Sequence, residues 1–120
     1  MVGATRTKVA APLADTSRIS LNQITTRRWT LPETVDGCAR QGIGWIGLWR
    51  DKVAEYGLER SARVVHDAGL RVSSLCRGGF FPVLGEAALR ERRDDNRRAV
   101  EEAVALGTDI LVLVCGPAPD

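Results

Sequence analysis

The stretch Asp109-Ile-Leu-Val-Leu-Val-Cys115 decides the fold, because it is a nearly continuous apolar run that follows directly on a helical pattern ended by a glycine. Such a run is typical of a parallel strand that is covered on both of its faces. Three further strand-like segments begin near positions 18, 44 and 70, and one helical pattern separates each from the next. Strands that alternate with single helices pair in parallel through right-handed crossovers. The sequence therefore predicts a βαβαβαβ chain.

Local signals set the expected limits of these elements. The first strand is expected over 18–24, the second over 44–49 and the third over 70–76, followed by a glycine-rich loop at 77–82 and a segment that is helical by about position 94. Thr30-Leu-Pro-Glu33 has the spacing of a capping box, which predicts a helix start. A glycine stands where each of the three helices is expected to end, at Gly42, Gly69 and Gly107.

The repeat fits either a doubly wound sheet or a (β/α)8 barrel of the TIM type. A full barrel takes about 250 residues, and this chain of 120 residues supplies four strands. We therefore predict the first half of a barrel over 18–120, with strand order 1-2-3-4 and a flexible extension over 1–17. Strand side chains expected to be mostly buried are Ile19, Leu21, Ile46, Leu48, Val72, Leu75, Ile110, Val112 and Val114.

Composition excludes several classes of protein. A content of 44% hydrophobic and 27% charged residues is ordinary for a globular domain, and a formal charge of +2 does not indicate a nucleic-acid or membrane partner. Three widely spaced cysteines indicate neither a disulfide framework nor a zinc site, which favours a reducing, cytoplasmic setting. No apolar run is long enough to span a bilayer. Arg6 and Lys8 hint at a transit peptide, but a disordered tail is favoured.

Candidate binding residues follow from strand polarity, because active sites of (β/α)8 barrels gather at the carboxyl ends of the strands. Arginines there suit a phosphate or polyol oxygen, amides suit hydroxyl groups, and a Gly-Gly pair lets backbone N–H groups approach an anion. Loop structure and salt bridges at the rim are the alternative for each arginine. The candidates are Asn22, Gln23, Trp49, Arg50, Cys76, Arg77, Gly78 and Gly79.

Other suggestive features are better explained by structure than by chemistry. The G-x-G-x-x-G match at 42–47 has its helix before and its strand after, which is the reverse of a dinucleotide fingerprint. His66, the only histidine, falls on an outer helix, and Cys38 and Cys115 are expected in the core. Cys76 lacks a histidine base, which favours a packed thiol over a nucleophile. The charged segment 90–98 is mixed in sign, as on a solvated helix face.

Four segments together resemble bacterial sugar-phosphate isomerases/epimerases with the xylose-isomerase-like TIM barrel, and the resemblance covers nearly everything after Ser17. They are Ser20-Leu-Asn-Gln-Ile-Thr-Thr26, Gly44-Trp-Ile-Gly-Leu-Trp-Arg-Asp-Lys52, Gly69-Leu-Arg-Val-Ser-Ser-Leu-Cys-Arg-Gly-Gly-Phe-Phe81 and Asp95-Asn-Arg-Arg-Ala-Val100. One departure is Gly47-Leu-Trp49, where the family often has an acidic residue before Leu-Trp.

The resemblance implies a divalent metal, Mn²⁺, Mg²⁺ or Zn²⁺, held by carboxylates and a histidine on later strands that this sequence does not contain. It implies a sugar, polyol or sugar-phosphate ligand and a proton transfer next to a carbonyl in an isomerase or epimerase of carbohydrate metabolism. The alternative is a non-catalytic half-barrel that binds a ligand or oligomerises. We expect the 120-residue chain alone to be inactive, to bind no metal tightly, and to self-associate or pair with a C-terminal half-barrel, since its edge strands are open.

Overall fold

The structure is a computed structural model that describes Gly3, Ala10, Ala11 and residues 15–119. Most of the predicted extension, including Arg6 and Lys8, lies outside the described residues. Where the description resumes, the Thr16 hydroxyl donates to the Gly42 carbonyl oxygen at 2.8 Å, and the Trp45 indole donates to the Ser17 carbonyl oxygen at 3.2 Å. The segment just before the first strand is therefore hydrogen-bonded both to the loop that leads into the second strand and to the first residue of that strand.

Four strands alternate with helices along the chain. The elements are β1 (Ser20–Asn22), a 3-10 helix (Gln23–Thr26), α1 (Leu31–Arg40), β2 (Trp45–Trp49), α2 (Arg50–Tyr56), α3 (Leu58–Asp67), β3 (Arg71–Gly79), α4 (Glu86–Leu106) and β4 (Leu111–Val114). All neighbouring strands pair in parallel, and the sheet order is β1-β2-β3-β4. The predicted order is confirmed, and the doubly wound alternative, which inverts the first two strands, is excluded.

The first helix begins as its capping box predicts. The Thr30 hydroxyl accepts from the Glu33 N–H at 3.4 Å, and the Glu33 carboxylate accepts from the Thr30 N–H at 2.7 Å. Both contacts satisfy donors that the first turn of a helix leaves free. The helix ends at Arg40, and Gly42 follows with φ of 69°.

One face of the sheet carries the helices, and the hydrophobic core lies between them. Ile46, Leu48 and Leu75 are fully buried there, at 0% exposure. They pack with apolar side chains of α1, such as Leu31 and Val35. Because side chains alternate along a strand, Gly47 faces the opposite side of the sheet, where Ser73 and Ser74 are its neighbours.

Several element boundaries differ from the sequence-based expectation. The first strand ends at Asn22 rather than residue 24, because the Asn22 side chain accepts from the Ile24 N–H at 3.3 Å and caps a 3-10 helix. Gly57, with φ of 104°, divides the second helical region into α2 and α3. The last helix starts at Glu86, eight residues before the expected position 94.

The fourth strand is not covered on both faces, so part of the burial prediction is wrong. Ile110 is 53% exposed and Val112 is 40% exposed, although both were expected in the core. Ile19, Leu21 and Val114 are half-buried. Within the described residues β4 is an edge of the sheet, and no further strand pairs with it. Cys115, also expected in the core, is exposed directly after this strand.

Candidate functional site

The carboxyl ends of β2 and β3 meet at one end of the sheet and carry most of the candidate residues. Trp49 pairs with Cys76 across the two strands. Two neighbouring depressions open here, of about 250 Å³ and about 280 Å³, and both are lined by Trp49 and Asp51. The larger one brings together Trp49, Arg50, Cys76 and Arg77. Residues that are distant in sequence therefore share one cleft, which we call the strand-end cleft.

Arg50 forms ion pairs with two carboxylates of α4. Its guanidinium donates to both oxygens of Asp95 at 3.1 Å each, and to both oxygens of Glu102 at 2.6 and 3.2 Å. The fifth N–H contact reaches the Arg77 carbonyl oxygen at 3.3 Å. An arginine has five N–H donors, so none is left for a ligand.

The electrostatics of this cluster follow from the same contacts. Hydrogen bonds to Glu102 and Asp95 raise the pKa of Arg50 further above its usual range, and the hydrogen bonds from Arg50 lower the pKa of the Asp95 carboxyl. Arg50 and Asp95 are therefore both charged at neutral pH. Of the two expectations for Arg50, the structure favours the rim salt bridge over direct phosphate binding.

Trp49 is held as a rigid wall between the two depressions. Its indole N–H donates to the Asn22 side-chain oxygen at 2.7 Å, and its backbone N–H donates to the Gln23 side-chain oxygen at 2.8 Å. Gln23 is fully buried, and its side-chain nitrogen has no hydrogen-bond partner within the described part of the chain. Asn22 and Gln23 are expected to orient ligand hydroxyls, but in the structure their side-chain oxygens accept hydrogen bonds from Trp49 and position it.

A β-bulge aims Arg77 into the strand-end cleft. On β3, Cys76 pairs with Val112 and Gly78 pairs with Leu113, so Arg77 is an extra residue without a partner on β4. Regular alternation would send Cys76 and Arg77 to opposite faces, whereas a bulge lets consecutive residues share one. Both line the same depression.

Gly78 and Gly79 belong to the strand rather than to a loop, which corrects the predicted start of a glycine-rich loop at Arg77. The Gly79 N–H donates to the Asn96 side-chain oxygen at 2.7 Å, and the Asn96 side-chain nitrogen donates back to the Gly79 carbonyl oxygen at 3.0 Å. A Cβ at Gly78 would lie 2.7 Å from that same Asn96 oxygen, and one at Gly79 would overlap Val114. The Gly79 N–H is thus not free for an anion, and the glycines permit close packing.

Cys76 is half-buried at the floor of the strand-end cleft. Burial raises the pKa of its thiol, and the nearby positive charge of Arg77 only partly opposes this. A neutral thiol is a poor nucleophile. The geometry therefore fits the expectation of a packed, cleft-lining cysteine.

Sequence reasoning missed several residues of the cleft. The depression of about 280 Å³ is also lined by Asp51, Phe80, Arg92 and Asp95. Asp51 lies in the first turn of α2, and Arg92 and Asp95 come from α4, whose early start was not predicted. The sequence predicts one solvated face for the charged segment 90–98, because no local signal distinguishes Arg92 and Asp95, which line the cleft, from the other charged residues.

The residues outside the cleft have structural surroundings. The His66 side chain is 90% exposed on α3, and its ring nitrogen lies 3.5 Å from Asp67. Cys38 is buried in the core, where burial raises the pKa of its thiol. No helix in the described part is both long and apolar enough to cross a membrane.

The residues present do not fit a divalent metal. Within the described ranges, no three His, Cys, Asp or Glu side chains come together as a metal site would require. Asp95, which lines the cleft, and Glu102 are both paired with Arg50. No metal-dependent step can be assigned to these side chains.

Four parallel strands in sequential order, with helices between them and polar side chains gathered at their carboxyl ends, define part of a TIM-type barrel. Neither a protein-family model nor a curated protein matches the sequence. Solved structures do match. Protein SMc04130 from Sinorhizobium meliloti 1021 superposes with a TM-score of 0.84 at 45% sequence identity, over 88% of this chain and 39% of that one.

Two more distant structures carry the name of the fold. A xylose isomerase-like TIM barrel/4-hydroxyphenylpyruvate dioxygenase fusion protein matches with a TM-score of 0.70 at 18% identity, over 82% of this chain and 16% of that one. A xylose isomerase domain containing protein (stm4435) from Salmonella typhimurium LT2 matches with a TM-score of 0.70 at 14% identity, over 82% of this chain and 37% of that one. The chain therefore has the fold of part of a xylose isomerase-like TIM barrel, and it spans less than two fifths of each matched protein.

Proposed function

We propose that this chain is the N-terminal part of a sugar or sugar-phosphate isomerase/epimerase-like enzyme, which acts by proton transfer next to a carbonyl. Its described residues contribute the ligand-binding wall of the strand-end cleft. The observation that carries the proposal is the convergence of Trp49, Cys76 and Arg77 on one depression of about 280 Å³ at the carboxyl ends of the strands. In barrels of this class that end holds the active site.

The division of roles follows from the hydrogen bonds. Trp49, fixed by Asn22 and Gln23, offers an aromatic wall, and Arg77 offers guanidinium donors at the rim that have no partner among the described residues. Arg50 holds α4 against the sheet ends and thereby sets the width of the cleft. Asp51 is exposed at the rim and is suited to accept hydrogen bonds from ligand hydroxyls.

A metal is part of the proposal only for the larger protein. The structural class is often metal-dependent, but the side chains described here offer no cage for Mn²⁺, Mg²⁺ or Zn²⁺. Its ligands would come from later strands of a complete barrel. We assign to this chain binding and orientation of the ligand, and no step that passes through the metal.

The experiment uses the longest natural reading frame that contains this chain. Deuterium incorporation from solvent at the carbon next to the carbonyl is followed by NMR for a panel of aldoses, ketoses and their phosphates, with each metal added in turn. We expect metal-dependent exchange for at least one sugar, and about a tenfold or greater loss of exchange rate in Trp49→Ala. The matched control is Trp29→Ala, because Trp29 is exposed and lines neither depression of the strand-end cleft.

A second candidate, a non-catalytic half-barrel that binds a ligand or associates with another chain, is favoured by one observation. The edge strand β4 and its surroundings expose large apolar side chains, with Ile110 and Leu113 at 53% each. An open strand edge with apolar neighbours is a surface that recruits a partner strand. Absence of both bound metal and exchange from the longest reading frame would favour this module over the enzyme.

A further inference from the structure

We propose that Arg77 and Arg92 form an anion clamp in the strand-end cleft, which takes the carboxylate or phosphate group of a polyhydroxylated ligand. The class of ligand rests on the proposed function, whereas the anion contact stands on the geometry of the two arginines. Arg77 comes from the bulge of β3 and Arg92 from α4, so the clamp joins the sheet to the helix that covers it.

The arginines of the cleft differ in whether their charge is paired. Three arginines line the depression of about 280 Å³, but they are not equivalent. Arg50 is paired with two carboxylates, whereas Arg77 and Arg92 form no ion pair with any carboxylate in the described part of the chain. Arginine prefers planar oxyanions, to which it can donate two hydrogen bonds at once. Arg77 and Arg92 are therefore the guanidinium groups of the cleft that no described carboxylate pairs with, and Asp51 is the lining carboxylate without an ion pair in the described part of the chain.

Arg92 has a buried hydrogen-bond donor without an acceptor in the described part of the chain. The Nε of Arg92 is buried and has no hydrogen-bond partner among the residues that the structure describes. Buried polar groups nearly always have a partner, because leaving one unpaired forfeits its hydration without compensation. An oxyanion bound by this guanidinium would supply the acceptor that the described residues do not.

The ring of Phe80 contacts both guanidinium groups and holds them near each other. The Cζ of Arg77 lies 4.8 Å, and the Cζ of Arg92 5.8 Å, from the centroid of Phe80. Phe80 is itself fixed, because its backbone N–H donates to the Val114 carbonyl oxygen at 2.6 Å and its ring lies against Gly116. Two like charges around one ring repel each other, so an anion between them relieves the repulsion.

The position of the clamp indicates what else the ligand carries. The Cζ of Arg77 is also 5.8 Å from the ring of Trp49, and Asp51 lies on the same depression. A bound anion would thus have an aromatic wall and a carboxylate beside it, which suits a chain of C–H and O–H groups rather than a second negative charge. The clamp therefore selects a sugar acid or a sugar phosphate over a neutral sugar.

The test follows arginine Nε–Hε signals of the chain by NMR during titration with three probes, D-glucitol, D-gluconate and D-glucitol 6-phosphate. We expect the two anionic probes to shift the signals of Arg77 and Arg92. The Arg50 signal stays in place, since its Nε already donates to Glu102 at 2.6 Å. The better of the two anions shows whether carboxylate or phosphate is the natural group. Affinity for either anion falls with added salt.

Substitutions supply the matched comparison. Arg77→Gln and Arg92→Gln are each expected to weaken anion binding by about tenfold, the loss of one charge-assisted contact. Arg63→Gln makes the same change of charge at a separate depression on α3 and α4, and it should leave the affinity unchanged. Should a cleft variant fail to fold, the signals of the unaltered chain still decide the question.

Three results would overturn the clamp: equal affinity for D-glucitol and the anions, anion-induced shifts that spare Arg77 and Arg92, or a loss in Arg63→Gln as large as in the cleft variants. Binding of the neutral polyol with shifts at Trp49 would then leave the proposed function intact. If no probe perturbs any residue of the strand-end cleft, the clamp and the proposed binding wall fail together.

Discussion

Replacing Arg50 by methionine tests how strongly the arginine joins α4 to the carboxyl ends of the strands. The change keeps most of the aliphatic stem but removes every hydrogen bond to Asp95 and Glu102, whose side chains are only 31% and 26% exposed. Exposed ion pairs contribute about 0–1 kcal/mol, whereas breaking a fully buried pair costs about 3–5 kcal/mol. Because this cluster is intermediate in burial, we expect a loss of about 2–3 kcal/mol in the free energy of unfolding at pH 7.

The assay is urea unfolding followed by circular dichroism, with Arg40→Met as the control. Arg40 pairs with Asp36 at 3.0 Å, but these side chains are 69% and 67% exposed, so the control should lose at most about 0.5 kcal/mol. The reasoning is refuted if the two variants lose equal stability.

The same variant has a pH dependence with a definite sign. Arg50 lowers the pKa of Asp95 below its ordinary value of 3.8, so the folded state binds this proton less readily than the unfolded chain. The stabilisation is complete above the unfolded pKa and is lost as the pH falls through the folded pKa. The difference between the parent chain and Arg50→Met should therefore shrink as the pH is lowered further and further below 3.8, the ordinary value for aspartate. A difference that stays constant throughout the acid titration would show that packing, not charge, is lost.

Other consequences concern the glycines, the open edge and metal binding. Gly79→Ala should lower the free energy of unfolding by about 3 kcal/mol or more, because the new Cβ would overlap Val114. Gly69→Ala has open space around it and should lose only about 1 kcal/mol, from its positive φ. Urea unfolding measures both losses, and equal losses would contradict the overlap at Gly79. The 120-residue chain should self-associate through β4, so Leu113→Lys should lower the particle mass measured by light scattering, and a monomeric parent chain would contradict this. Calorimetry with Mn²⁺ should show no binding at micromolar affinity, and one ion bound per chain would contradict the assignment of the metal ligands to later strands.

Much of the fold could be predicted because its signals are local. The capping box at Thr30 and the glycines after each helix mark boundaries, and the alternation of strand and helix forces parallel pairing. The exposure of Val112 could not be predicted this way. The apolar sequence of β4 suits a strand that is covered on both faces. In the described part of the chain β4 has β3 as its only neighbour, so the further contact that would bury Val112 is not seen.

The sequence predicts which candidate residues lie at the same end of the sheet, but it does not predict their hydrogen bonds. Strand polarity correctly brings Trp49 and Arg77 to one cleft, since that step needs only topology. It cannot show that Arg50 is paired with Glu102, 52 residues away. Nor can it place Arg92, because the segment after Phe81 has no periodicity that fixes which charges face inward. Whether an arginine of the cleft is paired with a carboxylate depends on contacts between residues far apart in sequence, and these contacts are seen only in the structure.

The most direct measurement is a map of backbone amide shifts when the chain is titrated with a polyol acid such as D-gluconate. Placing the ligand at the carboxyl ends of the strands predicts that the shifts cluster at Trp49, Asp51 and the segment 76–80, around the strand-end cleft. Shifts that cluster instead at the depression lined by Glu59, Arg63 and Leu106 would contradict it, because the ligand would then bind between α3 and α4 and not at the ends of the strands.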